Sequence, residues 1–333
     1  MRPSTLTEER IVHSYRKRAF LIGSLAAAAC HRAFAQPAGA ALMLTVPFPA
    51  GGAGDISVRI VSQRLQERFG LTSVVENRPG ANGMIGVQHI IRSKPDGNSL
   101  VMATPGMLSI APFLNKAITF DVQRDLTPIS GLTVQPLFLA VSASAGLRSV
   151  RELLALGKRG AKVSYGSSGI GAMSHLLGSM LSKAGGGTFV HVPYKGGAPL
   201  LTGLIGGDIQ FAFLAASDAV RYDKEGRVAL LGVTGKERSP LAPQVPTMWE
   251  AGIDGIEHQL WLGLLGPAGI PKETVARLQR QIHEILAEPQ TREKFAQQSM
   301  LPWPVGSDAF AATLRSEADS YRRIIEESGL KAE

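Results

Sequence analysis

The chemistry this chain can offer is concentrated in two glycine turns. The first is Val46-Pro47-Phe48-Pro49-Ala50-Gly51-Gly52-Ala53-Gly54-Asp55, where an apolar run breaks into glycines and then into a helical pattern. A strand, turn and helix in that order leave backbone N–H groups unpaired beside the positive end of the helix, which holds an anion without any basic side chain. Nucleotide fingerprints are absent: Gly52, Gly54 and Ser57 do not complete G-x-G-x-x-G, and no Gly-Lys-Ser/Thr follows. The expected anion is therefore not a nucleotide phosphate. The second turn, Gly166-Ser167-Ser168-Gly169-Ile170-Gly171, also leads into a helical pattern, from Ala172. It misses the nucleophile elbow G-x-S-x-G because Ile170 stands where the last glycine belongs. Ser167 and Ser168 read as hydrogen-bond donors, not nucleophiles.

Other reactive side chains are sparse. His175 lies in an apolar helical stretch and reads as a packed histidine, while His191 and His258 lack metal-ligand spacing. No cofactor or metal is expected. Tyr194 either lines a cleft or packs at a strand end, and Lys195 reads as a solvated charge that can steer anions. Asp218 would repel a carboxylate and attract an amine; it is expected to be exposed. Trp261 reads as packing, not as a stacking platform.

The elements that must position these residues alternate between short β-rich apolar runs and amphipathic helices, the pattern of an α/β protein with a largely parallel sheet. The spacing of Ile56, Ile60, Val61 and Leu65 predicts a helix from Asp55, its expected N-cap, to Phe69, stopped by Gly70. Strands are predicted at 72–76, 99–104, 162–165, 188–192, 209–214 and 230–234, and helices at 84–92, 172–183 and 198–205. Ser149-Val150-Arg151-Glu152 has capping-box spacing ahead of a helix ending near Gly157. Pro271 opens a helix through Leu286, and Ser307 caps a terminal one ending near Gly329.

Residues 1–35 read as a removable export signal. Arg16-Lys17-Arg18 precedes an apolar segment, Ala19 to Cys30, that is too short to span a bilayer, and Ala33-Phe34-Ala35 supplies a small-x-small cleavage site. Lys17-Arg18-Ala19-Phe20-Leu21 resembles a twin-arginine motif with Lys in first place, so the route, general secretory or twin-arginine, stays open. Cys30 in a lipoprotein signal is the weaker reading, because Ala27 occupies the usual leucine position. Of the net +8 charge, +4 lies in this segment, leaving a mildly basic remainder of +4 without the Lys/Arg tracts of a nucleic-acid face. The single cysteine goes with it, so no disulfide or thiol chemistry is expected. Of 333 residues, the 298 that follow position 35 suffice for two domains.

Taken together, the motifs resemble the substrate-binding proteins of tripartite tricarboxylate transporters, the Bug family. The resemblance runs through Val46-Pro47-Phe48-Pro49, Val75-Glu76-Asn77-Arg78-Pro79-Gly80, Pro95-Asp96-Gly97 and Tyr165-Gly166-Ser167-Ser168-Gly169. It continues in Ser174-His175-Leu176, His191-Val192-Pro193-Tyr194-Lys195-Gly196, Gly206-Gly207, Pro246-Thr247, Glu250-Ala251-Gly252, Trp261-x-Gly263 and Pro267-Ala268-Gly269. It implies a two-lobed periplasmic-binding-protein fold of the second type, each lobe a mainly parallel sheet flanked by helices, with the ligand in the cleft. Crossings near Val141 and Gln259 would divide the chain into 36–141 plus 259–333 and 142–258. The resemblance also implies a ligand carboxylate held by Phe48, Gly52, Ala53, Gly54 and Asp55 on one side and by Ser167, Ser168, Gly169 and Ser174 on the other. Thr104 would add a hydroxyl. The expected protein is a monomeric periplasmic receptor, with no nucleic-acid partner, that delivers a di- or tricarboxylate, acidic amino acid or aromatic acid to membrane permease subunits. A hydrolase using Ser167 or Ser168, and an adaptor that signals to a membrane receptor, are the alternatives. Gly203 departs from the family pattern, where an acidic residue is common, and Leu200-Leu201 makes that helix unusually apolar.

Overall fold

A computed structural model describes residues 41–186, 189–328 and 330. The expected export segment, with Cys30, lies outside the described residues. Strand β1 (Leu42–Val46) is almost wholly buried, as a parallel strand covered on both faces must be. It runs parallel to β2 (Ser73–Asn77) on one side and to β3 (Ser99–Ala103) on the other. Between β1 and β2 the chain passes through α1 (Ala53–Phe69), which ends at Gly70. Helix α2 (Met84–Ile91) leads toward β3.

The sheet continues through two long antiparallel strands. Strand β4 (Leu126–Ser142) pairs over Leu126–Pro136 with β9 (Gln259–Pro267), which inserts antiparallel between β3 and β4. From Leu137 onward β4 exchanges β9 for β7 (Phe211–Ala215) and β8 (Val228–Val233). Val141, where the sequence analysis places a crossing, pairs with Phe211 and Ala229. Beyond β7 the parallel pattern resumes with β5 (Ser164–Ser167) and β6 (Val190–Pro193), giving the order β2-β1-β3-β9-β4-β7-β5-β6.

Helices α3 (Val150–Lys158), α4 (Met173–Ala184), α5 (Gly197–Gly206) and α6 (Ala216–Lys224) belong to the second half of the sheet. The capping box at Ser149 forms in part. The Ser149 hydroxyl accepts the Glu152 N–H, but the Glu152 carboxylate reaches the Arg148 N–H instead of that of Ser149. Helices α7 (Lys272–Ala287), α8 (Pro289–Gln297) and α9 (Ser307–Ser328) return the chain to the first half. One core joins Leu44, Val61, Leu100 and Leu264 to Leu278 of α7, and another joins Leu139, Tyr165, Leu177 and Phe211. Helix α9 contributes to both ends of the molecule: Phe310 packs with Met107 and Trp261, and Tyr321 with the second core. Among the described residues no helix is long and apolar enough to cross a membrane.

Candidate functional site

Four helices begin at one cavity of about 440 Å³: α1 at Gly52–Gly54, α4 at Ala172–Ser174, α5 at Gly196–Pro199 and α6 at Ala215–Asp218. In α1 the first intrahelical bond runs from Ile56 N–H to the Gly52 carbonyl, so Ala53, Gly54 and Asp55 lack intrahelical acceptors. In α4 the first donors are His175 and Leu176, which leaves Met173 and Ser174 in the same condition. In α5 the first bond belongs to Leu200. No N-cap side chain closes any of these termini. Several positive helix ends therefore line one half-open space, where their fields add.

Sequence order places the first turn with care. Gly51 adopts φ +85°, a region that side chains rarely occupy, and this swings the chain from β1 into α1. Asp55 is not the N-cap. Helix α1 starts two residues earlier, with Gly52 in the capping position, and the Asp55 carboxylate folds back to accept the Gly51 N–H at 3.0 Å. Arg59 donates to the same carboxylate at 3.0 Å and Asn77 at 3.0 Å, while Asn77 also reaches the Phe48 carbonyl at 3.1 Å. Burial pushes this carboxyl up, but the bonds from Arg59, Gly51 and Asn77 outweigh it, and its pKa falls below the ordinary value. An anion held this way is turned from the cavity and does not oppose a second one.

Of the residues expected at the site, Phe48, Gly52, Ala53, Gly54, Thr104, Ser168 and Ser174 line the cavity. Asp55, Ser167, Gly169 and Tyr194 are not among the lining residues. Ser167 is fully buried, with its hydroxyl donating to the Gly169 carbonyl at 3.0 Å and lying 2.7 Å from His191 Nε2. Gly169 turns toward Asn82, and Tyr194 fills the space left by the missing side chain of Gly203. The Ser168 N–H donates to the Ser174 hydroxyl at 3.1 Å, so at this turn the hydroxyls, not that N–H, serve the cavity.

The histidines support the second turn from behind. His175 and His191 stack with ring centroids 3.8 Å apart, and His175 Nδ1 accepts the Gly171 N–H at 3.3 Å. Burial pulls their pKa values down to about 3 for His175, where His191 adds repulsion, and to about 4 for His191. Both stay neutral at physiological pH, and their role is to hold the turn. Trp261 packs off the cavity, stacked on Trp303 and edge-on to Phe310.

Sequence reasoning did not recognise the termini of α5 and α6 as parts of the site. Glycines at 196 and 197 were the available signal for α5; α6 follows β7 without any turn residue. Asp218 is not fully exposed as expected: it lies partly buried in the cavity wall with Arg221, while Lys195 lines the wall from an exposed position. Asn82, in a left-handed conformation at φ 50°, also lines the cavity and donates from Nδ2 to the Ile170 carbonyl at 3.3 Å, which ties the α2 loop to the second glycine turn.

The family model for the tripartite tricarboxylate transporter family receptor matches residues 57–330. A Pseudomonas sp. (strain P51) relative, the UPF0065 protein in the tcbD-tcbE intergenic region, is 30% identical over 289 residues, covering 86% of each chain. An R. palustris protein solved with adipate superposes at TM-score 0.84 with 26% identity, over 88% of this chain and 98% of that one. The periplasmic binding protein BugD does so at TM-score 0.80 with 30% identity, again over 88% and 98%.

Proposed function

Because the chain belongs to the tripartite tricarboxylate transporter receptor family, whose relatives include the Bug proteins, we propose that it is a periplasmic solute-binding protein that holds a small organic carboxylate in its cavity. The observation that carries this reading is the convergence of four helix N-termini on one space. Free N–H groups at Ala53 and Gly54, with hydroxyls at Thr104, Ser168 and Ser174, are the anchors. Asp55, Ser167, Gly169 and Tyr194 shape the two turns without touching the ligand. A helix terminus contributes about 0.3–1 kcal/mol toward an exposed anion and up to ~2 kcal/mol when partly buried, and each charge-assisted bond about 1.5–3 kcal/mol. A few of each reach the roughly 8 kcal/mol of micromolar binding once ordering costs are met. The adipate found with the R. palustris relative supports a carboxylate as the held group.

The lobes of this reading are residues 36–141 with 259–333 and residues 142–258, closing about the two long antiparallel strands. The closed monomer would present the face that a membrane permease recognises. Export of the chain follows from the same reading. Hydrolysis at the second turn draws no support, since the serine beside a histidine, Ser167, is fully buried and outside the cavity lining. A thermal-shift screen over di- and tricarboxylates, amino acids and aromatic acids, followed by calorimetry of the hits, tests the proposal. Saturable binding of at least one acid is expected; no binding across the panel would refute it.

A further inference from the structure

The cavity is built for anions except at one point. Asp218, in the first turn of α6, is the one carboxylate among its lining residues, which otherwise offer helix N-termini, hydroxyls, apolar side chains such as Met102 and Phe213, and the cations Lys195 and Arg221. Arg221 pairs with Asp218 as an ion pair without a hydrogen bond. Its guanidinium stands 3.7 Å from the carboxylate, beyond hydrogen-bond distance, and lies 4.4 Å over the Tyr222 ring. Among the described residues this is the side chain's closest charged partner.

A carboxylate brought to this point would meet Asp218 as a like charge, although the Asp218 side chain is 38% exposed and Arg221 offsets part of the repulsion. An ammonium group would meet it as a hydrogen-bonding counter-ion. Resting on the carboxylate reading above, we infer that the solute carries an ammonium group besides its carboxylate, received by Asp218, so that the ligand is an amino acid or a related amino-bearing carboxylic acid. Burial raises the Asp218 pKa and outweighs the lowering by the Arg221 charge, which is the state of a carboxylate that a bound cation would relieve.

Calorimetry on the full chain at pH 7 with matched pairs that differ only by the α-ammonium tests this: succinate and aspartate, glutarate and glutamate, 3-phenylpropanoate and phenylalanine. The amino member should bind at least tenfold more tightly in at least one pair. In Asp218→Asn, and in Asp218→Ser as a second substitution suited to a helix first turn, that preference should fall by about tenfold while the amine-free member keeps its affinity. Amine-free acids that bind as tightly in every pair, or a preference untouched by both substitutions, would overturn the inference and leave the carboxylate reading standing. Binding by neither member of any pair would overturn the inference, and the carboxylate reading falls with it only if the wider acid panel also fails to bind.

Discussion

At the residue scale, the site depends on side chains that do not line the cavity. Asp55 holds Gly51, Arg59 and Asn77 at once, so it fixes the turn from which α1 presents its N–H groups. Asp55→Ala should lower stability by about 1–3 kcal/mol, since it leaves a backbone donor and a guanidinium without their acceptor, as chemical denaturation will measure. Because the folded pKa of Asp55 lies below its ordinary value, this stabilisation is present above the unfolded pKa and is lost as pH falls through the folded one. The Asp55→Ala variant should therefore lose less stability than the parent on acidification. The motif was legible in the sequence, but the role of this residue was not. A local capping rule selects the Asp just before the apolar periodicity, whereas Asn77 and Arg59 claim its carboxylate through contacts that spacing does not reveal. The surroundings of Ser167 and Tyr194 were not legible for a similar reason: their neighbours, His191 and Gly203, lie on other elements.

At the scale of elements, what could be read from sequence was what glycines and periodicity mark. The start of α4, the end of α1 at Gly70 and the parallel strands around them follow from such signals. Strand β4 did not, because Pro128, Gly131 and Pro136 read as chain breakers, and only pairing with the distant β9 makes an extended strand of them. Helix α6 was missed because Ala215-Ala216 carries no turn chemistry between β7 and the helix. Terminal helix α9 brings a testable electrostatic feature to the same crossover strands. Glu317 accepts from Trp261 Nε1 of β9 at 2.9 Å and from Ser109 at 3.2 Å, and burial, against these bonds, raises its pKa to about 7. A carboxyl whose folded pKa is raised binds its proton more tightly in the native state, so its contribution to stability declines as pH rises from the unfolded value toward 7. The decline amounts to up to about 3 kcal/mol. Glu317→Gln should flatten the stability profile across that range, as urea titrations at pH 5 and pH 8 will show; an unchanged slope would contradict the assignment.

At the scale of the whole molecule, the bond from Asn82 to the Ile170 carbonyl joins the first half of the fold to the second glycine turn. Asn82→Gly removes that bond while keeping a residue suited to the left-handed backbone, and should shift the balance toward an open form by about 0.5–1.5 kcal/mol, weakening ligand affinity with little change in the unfolding temperature of the free protein. Small-angle scattering should show compaction when a binding acid is added, and less of it in Asn82→Gly. The central claim, that backbone N–H groups at the start of α1 anchor a carboxylate, is tested most directly at Gly54. A Cβ there would collide with the Met102 methyl, the far end of a flexible side chain that itself lines the cavity, so a larger residue displaces Met102 into the ligand's space more than it disturbs the fold. Calorimetry of the tightest-binding acid against the parent chain and Gly54→Val should show at least a tenfold loss of affinity in the variant with its unfolding temperature little changed. Retained affinity in Gly54→Val would contradict the account.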